Sequence, residues 1–203
     1  MTSPRTMTRP VTALTSLQVG SVLTVPNAVT LVRTVLAVAL GLVAAFTGDL
    51  GLLALAYGIY WVGDILDGWS ARRLGQETRL GAVLDIVSDR ACTSVLCVGL
   101  VVHLPGLVPV AVVFLLSFMV LDTMLSLAFL CWPLKSPNDF NLVDRRVWQL
   151  NWSPVAKAAN TAGVVTAVAL GAHSVALALA VIVLGVKVLS AVRVLALLDR
   201  DGR

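Results

Sequence analysis

Four aspartates, spaced in two pairs, are the residues whose type and spacing most directly suggest chemistry: Asp64 with Asp67, and Asp85 with Asp89. If the apolar residues around them form helices, the first pair lies roughly 60° apart around one helix and the second about 40° apart around the next. Two such helices packed face to face would bring all four carboxylates together. Only eleven Asp and Glu occur among 203 residues, so four of them within 26 positions indicate a shared role.

Four carboxylates at one place need positive charge, because like charges repel and a carboxylate is costly to desolvate near a bilayer. Hard oxygen ligands suit Mg²⁺, Mn²⁺ or Ca²⁺, and two such ions can clamp phosphoryl oxygens during a displacement reaction. Gly68 and Gly81 have no side chain, so they would let a diphosphate or a base approach the backbone. The pattern therefore predicts a site for divalent cations and phosphate.

The spacing of these residues carries a resemblance to a known family. The run Asp64-x2-Asp67-Gly68-x2-Ala71-Arg72-x8-Gly81-x3-Asp85-x3-Asp89 resembles the complete signature of the CDP-alcohol phosphotransferases. The resemblance extends from Pro26 to about Leu198. It implies transfer of a substituted phosphoryl group from a CDP-linked alcohol, here expected to be CDP-diacylglycerol, to a second alcohol, with release of CMP.

The resemblance also implies a role for each residue of the motif. Two Mg²⁺ or Mn²⁺ ions would be held by four ligands, Asp64, Asp67, Asp85 and Asp89. Asp89 is in addition the expected base for the acceptor hydroxyl. The nucleotide and its phosphates would be held by Gly68, Ala71, Arg72 and Gly81.

The start of the first apolar segment, Pro26-Asn27-x2-Thr30-x2-Arg33, permits two interpretations. Spacing alone favours a helix cap followed by an arginine that extends its charge to the membrane surface. The run is also similar to the start of family members that make phosphatidylglycerol or cardiolipin. That resemblance implies that Asn27 and Thr30 border the nucleotide site.

The acceptor is expected to be glycerol 3-phosphate, giving phosphatidylglycerophosphate, with phosphatidylglycerol (a cardiolipin synthase) or another polyol as alternatives. A phosphorylated acceptor requires a basic pocket, for which the candidates are Arg145, Arg146, Lys157, Lys187 and Arg193. One position departs from the family, because members that make phosphatidylglycerol commonly have an arginine where this chain has Leu121. That departure leaves a lipid or an uncharged polyol open. The neighbouring Asp122 is either a functional acid within the membrane or a polar contact between helices.

The composition predicts an all-α integral membrane protein. Apolar residues make up 58% of the chain and charged residues 13%, against about a quarter in soluble domains, and the mean hydropathy is +0.93. Helices of about 20 residues leave room for six spans in one membrane domain, 26–198, between terminal tails at 1–25 and 199–203. The expected spans are about 26–46, 50–74, 80–103, 107–131, 154–170 and 175–198, with an interfacial connection at 133–153.

The distribution of Lys and Arg predicts the orientation. The turns at 47–49, 103–106 and 171–174 contain neither residue, whereas the tails and the connections at 72–79 and 133–153 contain most of the 15 Lys and Arg. Both termini and the acidic motif are therefore expected on the cytosolic side of the cell membrane, with His103 and His173 on the other side. The net charge of +4 is divided among separate segments, so nucleic acid is not an expected partner. The family resemblance suggests a homodimer.

Two alternatives belong to other functional classes. A channel or transporter subunit would use membrane acids as an ion path, but these acids are expected at a single depth rather than across the membrane. In the other alternative the small residues serve only helix packing and the acids are incidental. Release of CMP from CDP-diacylglycerol would distinguish an enzyme from both.

Overall fold

Three long helices, each with a capping residue at its start, form the first half of the chain in the computed structural model, which describes residues 20–201. These helices are α1 (Val25–Thr47), α2 (Leu50–Leu74) and α3 (Arg79–His103). The side chains of Thr24, Asp49 and Thr78 accept hydrogen bonds from the first turns of the three helices. Helices α1 and α2 end at Gly48 and Gly75, whose φ values of 73° and 63° are left-handed.

The fourth apolar segment, Pro105–Cys131, is one helical stretch that changes its winding along its length. It contains α4 (Val108–Leu115), a π-helical segment (Leu116–Asp122) and α5 (Thr123–Leu127), and a 3₁₀ turn (Ala128–Cys131) ends it. The following connection contains a 3₁₀ helix, Pro137–Leu142, and α6 (Arg145–Asn151).

The last part of the chain contains one broken helical segment and one long helix. Residues 154–169 form α7 (Pro154–Lys157), a π-helical segment (Ala158–Ala162) and α8 (Gly163–Ala169). Helix α9 (His173–Asp201) follows. It therefore begins at His173, which the sequence suggested as a turn residue, and it continues past the expected end at 198.

The all-α, multi-pass architecture expected from the sequence is confirmed. Five helical segments of residues 20–201 are long and apolar enough to cross a membrane: α1, α2, α3, Pro105–Cys131 and most of α9. The segment 154–169 extends for only about 24 Å at 1.5 Å per residue, less than the roughly 30 Å hydrocarbon core. The sixth span therefore stays a prediction.

Buried apolar side chains hold the connection after the fourth segment against the helices. The cluster is formed by α3, α5, α6, α9 and the residues between them, and it includes Ile86, Leu125, Phe129, Leu134, Phe140, Val147, Trp152 and Val194. A second cluster packs α1, α2 and α3 together at their other end through Ala44, Leu53, Ala56 and Leu96. The start of α3, which carries Gly81, Asp85 and Asp89, is thus packed against the connection through Ile86.

Candidate functional site

Arg33 of α1 lies at the centre of the four aspartates. Its side chain is buried, and its Nη2 atom lies 3.3 Å from Asp64, 2.5 Å from Asp85 and 3.2 Å from Asp89. Its Nε atom donates to Asp67 Oδ2 at 2.8 Å. The structure therefore brings together the two pairs that the sequence predicted to meet, and it adds a guanidinium from a third helix.

Gly63 explains how Arg33 reaches this position. A Cβ atom placed on Gly63 would lie 2.5 Å from the Cβ and 2.6 Å from the Cδ of Arg33, closer than real side chains approach. The arginine stem therefore crosses α2 where that helix has no side chain. The guanidinium then lies over the ring of Tyr60, with 5.4 Å between the guanidinium carbon and the ring centroid.

The four carboxylates differ in their access to solvent. Asp67 is buried, and Thr30 donates its hydroxyl hydrogen to Asp67 Oδ2 over 2.7 Å. The side chains of Asp64 and Asp85 are 45% and 41% exposed, and that of Asp89 is 24% exposed. Asp67 is thus enclosed, while the other three carboxylates are partly open to solvent.

The arrangement fits a divalent cation by its donor atoms and by its charge. One oxygen each from Asp64, Asp67 and Asp85 lies within 4.8 Å of the other two. Ionised carboxylates are hard ligands of the kind that Mg²⁺ and Mn²⁺ take. Four carboxylates and one guanidinium sum to a formal charge of −4 + 1 = −3. This excess negative charge is what bound cations would offset.

The other residues of the motif lie where α1, α2 and α3 meet. A Cβ atom on Gly81 would lie 2.9 Å from Asn27 Oδ1, so the glycine allows the start of α1 to approach the start of α3. The side chain of Arg72 folds back over Gly68, one turn earlier in α2. A Cβ atom placed on Gly68 would lie 3.4 Å from Arg72 Nη1. Ala71 is half-buried one turn after Asp67.

The basic residues proposed for an acceptor phosphate lie in different places. Lys157 donates to Asn138 Oδ1 at 2.8 Å. Arg145 and Arg146 are exposed at the start of α6. Within residues 20–201, every ion pair of the four site carboxylates is with Arg33. Within that range, none of the five basic residues proposed for the acceptor forms an ion pair with a site carboxylate.

Arg193 of α9 pairs with Asp144, which lies in the connection outside the membrane-spanning segments. Its Nε atom donates to Asp144 Oδ2 at 2.6 Å. Burial acts to raise the pKa of Asp144, but hydrogen bonds from the Val147 amide, Arg193 and the Arg146 amide outweigh it, so the pKa lies below its ordinary value. The ionised Asp144 thus links the start of α6 to α9 through its ion pair with Arg193.

Asp122 joins three parts of the bundle. It accepts from Arg90 of α3 at 2.6 Å and pairs with the buried Lys187 of α9. Arg90 also donates to Thr123 at 2.8 Å and follows Asp89 directly in the chain. Of the two interpretations offered by the sequence, the structure shows a polar contact with neighbouring helices, and the contact includes two buried cations.

Sequence reasoning assigned Arg33 to the membrane surface rather than to the acidic site, and it gave no role to Gly63 or Arg90. A signal was available for the two arginines, because a cation inside an apolar helix is costly unless it has a partner. The four acids on the next two helices could have suggested that partner for Arg33. Gly63 has no comparable signal, since its role depends on which residue of another helix crosses it.

Comparison with known proteins gives one family and several relatives. The family model described as CDP-alcohol phosphatidyltransferase matches residues 23–193. The chain is 48% identical over 58 residues to a CDP-diacylglycerol–inositol 3-phosphatidyltransferase of Candida albicans, covering 29% of this chain and 24% of that protein. It is 49% identical over 43 residues to the protein of that name from Homo sapiens, covering 21% and 20%.

A protein of the same name from Schizosaccharomyces pombe is 58% identical over 33 residues, covering 16% of this chain and 14% of that protein. The chain thus matches about a quarter or less of the length of each of these relatives. No solved structure matches it.

Proposed function

The chain belongs to the CDP-alcohol phosphatidyltransferase family, and from this premise we propose that it transfers the phosphatidyl group of CDP-diacylglycerol to an inositol, releasing CMP. The convergence of Asp64, Asp67, Asp85 and Asp89 around Arg33 is the observation that supports the reaction. Membership of this family makes the chain an enzyme, so the channel and transporter alternatives are set aside.

Each group of the site has a part in the proposed reaction. The acceptor hydroxyl oxygen forms a bond to the phosphorus that carries the diacylglycerol, while the bond from that phosphorus to the oxygen of CMP breaks. Asp89 takes the hydroxyl proton, and CMP leaves with the electron pair. Divalent cations held by the aspartates would neutralise charge on the diphosphate and on the leaving CMP.

The residues around the carboxylates would orient the donor. Gly68 and Gly81 leave space for the diphosphate, and the exposed guanidinium of Arg72 would pair with a phosphate. Asn27, Thr30 and Ala71 would border the nucleotide. Arg33 would keep the carboxylates in fixed positions, because its four ion pairs link residues of α2 and α3 to α1.

Two observations favour inositol over glycerol 3-phosphate as the acceptor. The relatives named above are inositol phosphatidyltransferases by name. The chain also has Leu121 where family members that make phosphatidylglycerol commonly have an arginine. The absence of a positive charge at this position suits an uncharged acceptor. Glycerol 3-phosphate, favoured by the Pro26-to-Arg33 opening, is the second candidate, and phosphatidylglycerol is the third.

The membrane placement is part of the proposal. We place both termini and the acidic site on the cytosolic side of the cell membrane, because Lys and Arg are concentrated in the connections at that end. A homodimer is an expectation that comes from the family resemblance.

A panel of acceptors tests the acceptor assignment. Purified protein with CDP-diacylglycerol and Mg²⁺ is offered inositol, inositol phosphate, glycerol 3-phosphate, phosphatidylglycerol or serine, and CMP and the lipid product are measured together. We expect inositol to give the highest kcat/KM.

The variants Arg145→Ala, Arg146→Ala and Lys157→Ala serve as charge controls. For an uncharged acceptor, each should leave the acceptor KM within about twofold of wild type, because no phosphate contact is lost. A preference for glycerol 3-phosphate, with a raised KM in these variants, would replace inositol as the acceptor and leave the reaction class unchanged.

A further inference from the structure

Arg90 of α3 contacts three residues of the fourth apolar segment. Its Nη2 atom donates to Asp122 at 2.6 Å, and its Nε atom donates to the Thr123 hydroxyl at 2.8 Å. Its guanidinium carbon lies 3.7 Å from the centroid of the Phe118 ring, which makes a cation–π contact. Arg90 is buried, so these partners replace water around its charge. Because the donors of a guanidinium have a fixed planar geometry, the contacts hold it in one orientation.

The π-helical winding of Leu116–Asp122 brings these partners together. A π-helical turn contains more residues than an α-helical turn, so Asp122 and Thr123 both lie about one turn after Phe118. The Thr123 hydroxyl donates to the Phe118 carbonyl over 3.3 Å, which leaves its oxygen free to accept from Arg90. The segment is thus wound so that it presents a ring, a hydroxyl and a carboxylate to one guanidinium.

The same contacts fix α3 at the turn that carries Asp89. Arg90 follows Asp89 in the chain, about 100° further around the helix. Arg33 of α1 contacts Asp85 and Asp89 on their own face. A rotation of α3 by about 10° would move a carboxylate about 6 Å from the helix axis by about 1 Å. A misplacement of about 1 Å can lower a rate by about 10²-fold, so the rotational setting of α3 matters for the reaction.

Asp122 extends the constraint on α3 to the last helix. Its carboxylate pairs with Arg90 on one side and with the buried Lys187 of α9 on the other. Removing the charge of Asp122 would leave two buried cations without their common partner. The orientation of Arg90 therefore depends on a carboxylate that α9 also holds.

We propose that Arg90 and Asp122 are positioning residues, which fix Asp89 in the orientation that receives the proton of the acceptor hydroxyl. The inference rests on the proposed function, in which Asp89 is the base, and it adds the contacts that orient this base. In the described part of the chain, Arg90 pairs with Asp122 and not with a site carboxylate. It therefore acts on Asp89 through the backbone of α3.

The test compares Asp122→Asn with Asp144→Asn. Both aspartates pair with a cation of α9, Lys187 or Arg193, so each variant removes one such ion pair and keeps the size of the side chain. Asparagine also preserves the cap that Asp144 gives α6. Turnover is measured with Mg²⁺, inositol and CDP-diacylglycerol, and labelled CDP-diacylglycerol counts the binding sites. Dividing kcat by the number of sites removes the contribution of misfolded protein.

We expect Asp122→Asn to lower kcat per site by about ten- to a hundredfold and to leave the donor KM within about twofold, since a misplaced base affects the chemical step. Asp144→Asn should keep both values within about twofold of wild type. Arg90→Lys decides the question if Asp122→Asn does not fold. Lysine keeps a charge beside Asp122 but lacks the planar fork, so kcat per site should again fall by about tenfold or more.

Three results would overturn the positioning role. They are a wild-type kcat per site in either Asp122→Asn or Arg90→Lys, an equal loss of kcat in Asp144→Asn, and a raised donor KM with unchanged kcat. If the wild-type protein releases no CMP under these conditions, the proposed function fails, and the positioning role fails with it.

Discussion

Replacing Asp89 with asparagine is expected to lower kcat for CMP release by about 10²- to 10⁴-fold, the usual contribution of a positioned base. Asparagine has nearly the same shape but cannot accept the proton of the acceptor hydroxyl. Asp89 contacts Arg33 at 3.2 Å, and its side chain is 24% exposed, so it can be reached from the open face of the site. Donor binding should change by less than about tenfold, or 1.4 kcal/mol.

Asp67→Ala provides the comparison that separates a base from a ligand. Asp67 is buried and receives hydrogen bonds from Thr30 and Arg33, so its removal should disturb the cation site and weaken metal-dependent donor binding as well. Binding of labelled CDP-diacylglycerol is measured beside turnover for both variants. An equal loss of binding in Asp89→Asn and Asp67→Ala would show that Asp89 is only a metal ligand and not also the base.

Withdrawal of divalent cations is expected to reduce turnover to background, and added Mg²⁺ or Mn²⁺ should restore it. The physical reason is the formal charge of −3 at the site, which would repel the diphosphate of the donor. A cation that binds only the folded protein also raises the free energy of unfolding, by about 2.7 kcal/mol at a hundred times its Kd. The Tm should therefore rise with Mg²⁺.

Two kinds of variant make the thermal measurement specific. Asp64→Asn and Asp85→Asn should reduce the Mg²⁺-dependent rise in Tm. Asp49→Asn should keep it, because Asp49 caps α2 at the other end of that helix and asparagine caps equally well. Full turnover in excess EDTA, with no metal carried over in the protein, would contradict a role for cations.

The meeting of the two aspartate pairs could be predicted from the sequence because it depends on local regularities. The 3.6-residue period puts each pair on one face, and the short polar turn before Arg79 returns the chain to the same depth. The bounds of α2 could also be predicted from the sequence, since aspartate is a common N-cap residue and glycine a common C-cap residue. Capping chemistry and periodicity act within a few residues.

Features that depend on contacts between distant helices could not be predicted in this way. Spacing alone suggested that Arg33 extends to the membrane surface, whereas the structure buries it against Gly63, a contact across 30 positions of the chain. The partners of Asp122 on α3 and α9 were undetermined for the same reason. The short, partly π-helical segment 154–169 also differs from the single span that its apolar composition suggested.

The most direct test of phosphatidyl transfer at this site is the ratio of the two products. Purified protein is given Mg²⁺, inositol and CDP-diacylglycerol labelled in both the cytidine and the acyl chains, and free CMP and labelled inositol lipid are counted in the same samples. We predict that the two products appear in equal amounts, only when inositol is present, and not with Asp89→Asn. CMP release without a new lipid, or formation of a labelled lipid by Asp89→Asn at the wild-type rate, would contradict this prediction.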